Sequence, residues 1–368
     1  MMKNTFLFLI GILACLSCDN TEMIPDDKAA EEELYFPPNN GNNWESIDFN
    51  SLNWNENALE NLYTYLEDNK TRAFIVLKDG KIAIEKYWGN NILNTGAFEA
   101  NSLWYWASAG KALTASLVGV AEKEGHMNIS DKTSDYLGAG WSSLNSDKED
   151  LISIKHQLSM TTGLDYQVSD LDCTEPSCLE YRADAGTQWY YHNAPYTWLE
   201  QVVSNATGID YNSYTDQKIE SITGMDGRWI PVGYNNVYWS TARDMARFGL
   251  LILNKGIWKD NEAVFTSDYY EQMVNSSQTL NPSYGYLWWL NGKSKIQFPG
   301  TETTFNIELS SHAPEDLFAG MGKNGQFVEI VPSQNLVVIR MGEAPNDALV
   351  PIVFHDEMWE KMNAVIND

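Results

Sequence analysis

The hydrophobic and polar positions of this chain predict two strand-rich regions with helices between them. Residues 72–88 (RAFIVLKDGKIAIEKYW) form two β-rich runs around Asp79-Gly80, a pattern typical of a hairpin. Strand patterns return late in the chain, in QFVEIVP and NLVVIRMG, which flank a turn at 332–335. We therefore expect the sheet to be built from both ends of the chain.

The middle of the chain has the spacing of helices. Apolar residues recur at helical intervals in 152–160, 194–204 and 241–253, and a last helix is expected at 347–366. This order predicts an α/β (α+β) fold with an antiparallel sheet flanked by helices and an α-rich lobe inserted between the two strand regions.

One predicted helix differs from the others because it has no solvated face. The run ALTASLVGVA at 112–121 carries no charged residue, so as a helix it must be buried. Ser108 and Lys111 precede this run and would share one face of the first helical turn. Burying a lysine is costly, so the pair calls for an explanation.

Acyl-transfer chemistry is one explanation. A serine hydroxyl needs a base within hydrogen-bond reach, and Lys111 could be that base if desolvation keeps its amine neutral. This requires lowering the lysine pKa by roughly three units, about 4 to 5 kcal/mol. A helix N-terminus at Ser108 also offers a backbone N–H to a developing oxyanion. The structural alternative is a capping serine followed by a lysine that extends to solvent.

The N-terminus predicts export. Residues 1–18 combine Lys3 with an apolar run too short to span a bilayer, which indicates a signal peptide. The ending LSC resembles a bacterial lipobox, so Cys18 is the expected lipidation site. Cys15 is a second candidate, and an ordinary cleaved signal is the alternative. We expect a periplasmic or cell-surface protein that contacts a bacterial outer membrane only through its lipid.

An acidic segment follows the signal. Residues 19–33 contain seven acids, one lysine and no aromatic residue, a composition typical of a disordered linker. We assign 19–43 to a tether and 44–368 to the folded domain, whose packing would start near Tyr35 or Trp44. With 368 residues, 43% of them hydrophobic, the chain can bury a large core.

The net charge excludes some classes of partner, and the remaining cysteines predict a disulfide. A formal net charge of −26 argues against nucleic acid and anionic membrane surfaces, so the expected partner is a small-molecule or short peptide substrate. Cys173 and Cys178 (CTEPSC) suit a small disulfide loop in an oxidising compartment. No histidine lies in a metal-ligand pattern, and we expect no metal and no cofactor. The oligomeric state stays open.

Six segments together resemble one superfamily. The segments begin at Ser108 to Lys111 (SAGK) and continue in the order ISIKHQLSMTTGLDY, YHN at 191–193, STARDMARFGLLILNKG, YGYLWW and AGMGKNGQFVEIVPSQNLVVIR. In this order they resemble the serine β-lactamase and penicillin-binding protein superfamily, and within it the class C-like hydrolases and esterases that include 6-aminohexanoate-dimer hydrolase. The resemblance covers nearly everything after the tether.

The resemblance implies roles for further residues. Tyr191 matches the tyrosine of the Tyr-x-Asn motif, which shuttles protons to and from the leaving group. Asn193 would donate its amide toward the substrate carbonyl or Lys111. The third motif, on a strand that edges the pocket, would be Lys323 to Gln326. Lys323 would hold a substrate carboxylate, Gly325 would belong to the same substrate-binding motif, and the N–H of Gln326 would be the second oxyanion donor. The alternative is a glycine-rich turn that leads into a strand. Asn where the family has Thr casts doubt on carboxylate recognition.

Two questions stay open at this stage. Either a neutral Lys111 or a Tyr191 phenolate held by cationic Lys111 can be the base, because these are microstates of one coupled system. Tyr190 stands beside Tyr191, and only Tyr191 lies two residues before an asparagine. Several aromatics near the motifs suit either an apolar acyl pocket or the core: Trp104, Tyr105, Trp189, Tyr190, Trp288 and Trp289.

The expected function is hydrolysis of an ester or amide through an acyl-enzyme on Ser108. The first alternative is a β-lactamase or D,D-peptidase that acts on β-lactams or cell-wall peptides. The second is a catalytically silent surface lipoprotein that binds a ligand or partner. The sequence does not identify the substrate.

Overall fold

The structure is a computed structural model that describes residues 34–41 and 43–366. The expected signal peptide, Cys15, Cys18 and the acidic run lie outside the described residues. Within the described part of the chain, no helix combines the length and apolar character needed to cross a bilayer.

The start of the described chain packs on the domain. The backbone N–H of Tyr35 donates to the carbonyl of Asp79 at 3.0 Å, and the rings of Phe36 and Trp258 meet edge to face at 5.1 Å. Residues 34–41, which the sequence assigns to the tether, are therefore part of the packed domain. Among the described residues, packing begins at Leu34, well before Trp44.

The strands form a six-stranded antiparallel sheet and two smaller ones. The strands are β1 (Thr71–Lys78), β2 (Lys81–Tyr87), β3 (Trp104–Tyr105), β4 (Arg228–Val232), β5 (Asn235–Ser240), β6 (Trp289–Leu290), β7 (Ile296–Gln297), β8 (Thr304–Phe305), β9 (Phe318–Gly322), β10 (Gln326–Val331) and β11 (Leu336–Gly342). The main sheet has the order β2-β1-β11-β10-β9-β6, and the others are β3-β5-β4 and β7-β8.

The predicted hairpins are confirmed. β1 pairs with β2 around Asp79 and Gly80, whose φ angles of 51° and 81° suit the tight turn that right-twisted strands prefer. β10 pairs with β11 across the turn at Pro332–Gln334. β1 also pairs with β11, so both ends of the chain build the sheet, as expected.

Helices occupy both faces of the sheet and the inserted region. They are α1 (Glu56–Asp68), α2 (Lys111–Lys123), α3 (Thr133–Leu137), α4 (Ser146–Glu149), α5 (Ile154–Leu158), α6 (Asn193–Thr207), α7 (Tyr211–Thr215), α8 (Ser221–Thr223), α9 (Ala242–Leu253), α10 (Ser267–Met273) and α11 (Ile352–Ile366). Most of the inserted region from α2 to α10 is helical or in loops.

Helix ends differ from the predicted ones for local reasons. Helix α5 is shorter than 152–160 because Ser153 caps it and Met160 has a φ of 59°, outside helical geometry. Thr241 caps α9 through Asp244 and is not itself helical. Helix α11 starts only at Ile352, directly after Pro351, and not at Asp347.

The sheet is buried on both faces. Side chains of β10 alternate in direction, so Val328 and Ile330 contact α9 at Gly249, whereas Glu329 meets α11. The Glu329 carboxylate accepts from Trp359 at 2.8 Å. Strand β9 meets the start of α2, where a Cβ at Gly320 would lie 3.2 Å from the Cβ of Ala112.

Candidate active site

The predicted nucleophile lies in a 3₁₀ turn, Ala107–Gly110, that leads into α2. The sequence places Ser108 inside the first α-helical turn. In the structure the α-helix begins only at Lys111. Ala107, at the start of the turn, takes a left-handed φ of 47°, a costly conformation for alanine. Trp106 anchors the turn: its backbone N–H donates to Tyr238 and its indole to Ser240, both at 2.8 Å.

Ser108 and Lys111 are in contact. The amine Nζ of Lys111 lies 3.1 Å from the Oγ of Ser108, within hydrogen-bond distance. Lys111 is only 4% exposed, and the ring of Tyr196 lies 4.1 Å from its Nζ. Burial lowers the pKa of Lys111 to about 7, although the carboxylates of Asp172 and Glu200 act in the opposite direction. Near neutral pH the amine can therefore accept the Ser108 proton.

Tyr191 completes the group. It lies just before α6, is buried, and stacks on Trp289 with ring centroids 5.9 Å apart. Burial raises the pKa of the Tyr191 phenol, and a hydrogen bond with Ser108 only partly opposes this. The phenol is therefore neutral at pH 7. Tyr190 instead stacks on Tyr166, at 3.7 Å between ring centroids, and does not line the cavity at Ser108.

Asn193 binds a residue that sequence reasoning missed. Its Nδ2 donates to Asp172 at 2.7 Å rather than to Lys111, and its Oδ1 has no partner among the described residues. Asp172 lines the cavity and directly precedes Cys173, which the structure joins to Cys178 in a disulfide. The disulfide pattern pointed to a constrained loop, but nothing local in the sequence placed that loop beside Lys111.

His192 lies between the two motif residues but does not line the cavity. It is 3% exposed, and neither ring nitrogen has a partner in the described chain. Burial lowers its pKa to about 4, so its ring is neutral at pH 7.

Most residues of the predicted third motif lie outside the cavity at Ser108. Lys323–Gly325 form a 3₁₀ turn after β9, and only Lys323 lines the cavity. Gly325 packs against Arg340. Gln326 is fully buried in β10, and its side-chain amide bonds both backbone groups of Gly342. The structure therefore does not bring Gly325 or Gln326 to Ser108.

Asn324 is a turn residue. Its φ is 66°, which asparagine tolerates well, and its Nδ2 donates to the Tyr105 hydroxyl at 2.8 Å. Since it does not line the cavity, its difference from the family's threonine says nothing about carboxylate recognition.

The residue of β9 that meets the nucleophile is Gly322. A Cβ at this position would lie 2.6 Å from the carbonyl oxygen of Trp106 and 3.0 Å from the backbone nitrogen of Ser108. Only glycine permits this approach, which brings the following residue, Lys323, to the cavity.

The cavity at Ser108 has a volume of about 290 Å³. Its lining residues are Ala107, Ser108, Lys111, Leu171, Asp172, Tyr191, Asn193, Tyr196, Asn235, Asn236, Val237, Pro299, Gly300, Lys323, Leu349 and Val350. The cavity thus brings together Ser108, Lys111, Tyr191, Asn193 and Lys323. The tryptophans and tyrosines considered for an acyl pocket do not line it. Across residues 34–41 and 43–366, no group of His, Cys, Asp and Glu side chains could hold a metal ion.

Solved structures share this fold. A candidate 6-aminohexanoate-dimer hydrolase from Bacillus anthracis superposes with a TM-score of 0.65 at 18% identity, covering 89% of this chain and 88% of that one. A penicillin-binding protein homologue from Caulobacter crescentus gives a TM-score of 0.65 at 13% identity, covering 88% and 99%. The octameric penicillin-binding protein homologue from Pyrococcus abyssi gives 0.58 at 13%, covering 82% and 74%.

Sequence comparison gives the family. No curated protein is a significant match to the chain. The model of the beta-lactamase family matches residues 66–347, a span that runs from the end of α1 to beyond β11 and includes the whole serine, lysine and tyrosine group. With most of its length matched, this chain belongs to the beta-lactamase family.

Proposed function

We propose that the protein is a serine hydrolase that cleaves an ester or amide through an acyl-enzyme on Ser108. The observation that carries the proposal is the 3.1 Å contact between Ser108 Oγ and the buried amine of Lys111. A silent binding protein has no need of such a costly arrangement.

Lys111 is the base in this proposal. Its pKa is lowered to about 7, whereas the pKa of Tyr191 is raised, so a neutral amine is more accessible at pH 7 than a phenolate. Ser108 Oγ bonds to the substrate carbonyl carbon while its proton passes to Lys111. Tyr191 then relays that proton to the leaving oxygen or nitrogen as its bond to carbon breaks. In deacylation, water bonds to the acyl carbon while its proton passes to the site by the reverse route. The bond from that carbon to Ser108 Oγ then breaks, Oγ regains a proton, and the acid is released.

Two backbone amides would hold the oxyanion. The N–H of Ser108 is one donor, and the N–H of Lys323, which follows Gly322 at the turn, is the other in this proposal. The close approach of Gly322 to the Ser108 nitrogen supports this pairing. The donor expected from the sequence, Gln326, is replaced by Lys323.

The test is intact-mass spectrometry of the full chain in detergent after incubation with a fluorophosphonate. The wild type should gain one adduct, Ser108→Ala none, and Ser221→Ala, which changes an exposed serine, one. An adduct that persists in Ser108→Ala, or no adduct at all, would refute the proposal. A parallel incubation with penicillin tests the β-lactam alternative, since an adduct or rapid turnover there would identify cell-wall chemistry.

We also propose that Cys18 carries a lipid that anchors the protein to the membrane after export. The LSC ending and the acidic run after it support this. Metabolic labelling with a tagged fatty acid should mark the wild type and Cys15→Ser but not Cys18→Ser. Equal labelling of the two variants would contradict the assignment.

A further inference from the structure

A buried carboxyl, Glu200, lies one helical turn after Tyr196, whose ring contacts the Lys111 amine. Glu200 occupies the third turn of α6 and is 6% exposed. Its Oε2 accepts a hydrogen bond from the Nδ2 of Asn236, whereas its Oε1 has no hydrogen-bond partner among the described residues. An ionised carboxylate with an unpaired buried oxygen is costly, so this group is either protonated or stabilised by a nearby charge.

Glu200 does not line the cavity at Ser108. It lines a second, polar cavity of about 760 Å³, together with Asp210 and Asn212. Asn236 lines both cavities and is thus the link between them. Glu200 is therefore placed to exchange a proton with solvent through the second cavity and without contact with a substrate at Ser108.

Glu200 and Lys111 act on each other electrostatically. Burial raises the pKa of Glu200 to about 7, and the amide of Asn236 and the charge of Lys111 oppose the rise. Burial lowers the pKa of Lys111 to about the same value, and Glu200 opposes that change. The two groups therefore titrate in one pH range and as a coupled pair.

Other charged and titratable groups surround this pair. Those that face Lys111 are Asp172 from the disulfide loop, Tyr191 before α6, and Tyr196 on α6. Those that face Glu200 are Tyr196 on its own helix and Tyr211 on α7. The three tyrosines keep their protons at neutral pH because burial raises their pKa values. Asp172 and Glu200 are thus the two carboxyls whose charge acts on Lys111.

We propose that Glu200 is a positioning residue that sets the charge of the Lys111 amine from outside the substrate cavity. Its carboxylate favours the cationic amine, and its protonation through the second cavity favours the neutral amine that serves as base. This inference rests on the proposed function, since it concerns the activation of Ser108.

The test is the pH dependence of fluorophosphonate labelling of Ser108 in the full chain. Glu200→Gln removes the charge but can still accept from Asn236, so it should lower the Lys111 pKa and move the acid limb of the rate profile by about one pH unit to lower pH. The difference in labelling rate should be largest near pH 7, where the wild-type Glu200 carboxyl ionises, and should disappear well below pH 7, where that carboxyl is already protonated.

Two variants separate charge from structure. Glu60→Gln makes the same charge change at an exposed residue of α1 and should leave the midpoint unchanged. Glu200→Asp shortens the side chain but keeps its charge, so its midpoint should return toward that of the wild type. A merely structural role would disturb Glu200→Asp at least as much as Glu200→Gln.

The outcomes distinguish the two proposals. Labelling with the same midpoint in the wild type, Glu200→Gln and Glu60→Gln would overturn the role of Glu200 and leave the serine hydrolase standing. Absence of labelling in the wild type, or labelling that survives in Ser108→Ala, would overturn the proposed function and this inference with it.

Discussion

Replacing Lys111 with methionine should make the protein more stable at pH 7 while abolishing labelling of Ser108. Methionine has a similar length and no charge to desolvate, so it fits an environment that disfavours a cation. The lost contacts are the hydrogen bond to Ser108 and the contact with the Tyr196 ring, together about 1 to 2 kcal/mol.

The variant gains stability because folding of the wild type at pH 7 must remove a proton from Lys111 or bury its charge. The pKa of Lys111 falls from 10.5 in the unfolded chain to about 7 in the folded one, so between these values the unfolded state binds more protons. Wild-type stability therefore rises with pH across that window. The shift costs about 4 kcal/mol at pH 7 and about 2 kcal/mol at pH 9. After subtraction of the lost contacts, Lys111→Met should be more stable by about 2 to 3 kcal/mol at pH 7 and about equal at pH 9.

Glu200 also makes the stability difference between Lys111→Met and the wild type shrink as pH rises. Without Lys111 its carboxylate has lost a stabilising charge, so the variant becomes less stable as pH rises and Glu200 ionises.

The assay is urea-induced unfolding followed by tryptophan fluorescence, at pH 7 and pH 9. Lys155→Met, a change at an exposed lysine of α5, is the control and should show no such dependence on pH. A Lys111→Met variant that is less stable than the wild type at pH 7 would refute the reasoning. So would a stability difference that does not shrink by pH 9.

Three further predictions concern the site and the disulfide loop beside it. Gly322→Ala places a Cβ 2.6 Å from the Trp106 carbonyl and should cost about 1 to 3 kcal/mol in urea unfolding and most of the labelling rate; Gly96→Ala, with nothing closer than 3.8 Å, is the control, and equal behaviour of the two would contradict the close approach. Tyr191→Phe should slow alkyl-ester cleavage by about 10²-fold or more but slow activated esters much less, because only poor leaving groups need a proton; Tyr190→Phe should change neither, and an equal loss on both esters would exclude the relay. The double change Cys173→Ser and Cys178→Ser, which opens a loop with a sequence separation of 5, should cost about 2 kcal/mol in unfolding free energy, and an unchanged midpoint would show that the disulfide does not constrain the unfolded chain.

The features that the sequence predicted well depend on neighbours along the chain. The hairpin at Asp79-Gly80 follows from alternation and turn chemistry, and burial of α2 follows from a run without charge. The pairing of Ser108 with Lys111 follows from helical spacing. In each case a few consecutive residues carry the signal.

The features that it missed depend on contacts between distant segments. The sequence Lys323-Asn324-Gly325 predicted a substrate-binding motif. Strand pairing instead places Gly322 against Ser108 and leaves Asn324 in a turn. Asp172 reaches the site only through a loop that docks on α6. Glu200 did carry a signal: it stands four residues after Tyr196, on the buried face of α6, where an acid is unusual.

The pairing of β1 with β11 also governs when during synthesis the site around Ser108 can be completed. The two strands that meet at Phe74 and Arg340 lie at opposite ends of the chain, so the sheet closes only after β11 has emerged. Ser108, Lys111 and Tyr191 are made early, but Gly322 and the turn that follows it come within the last fifty residues. Contacts so distant in sequence form slowly, and a chain cut before β9 would contain the nucleophile without its opposite wall. The site around Ser108 is therefore completed only near the end of synthesis, after β9 has been made.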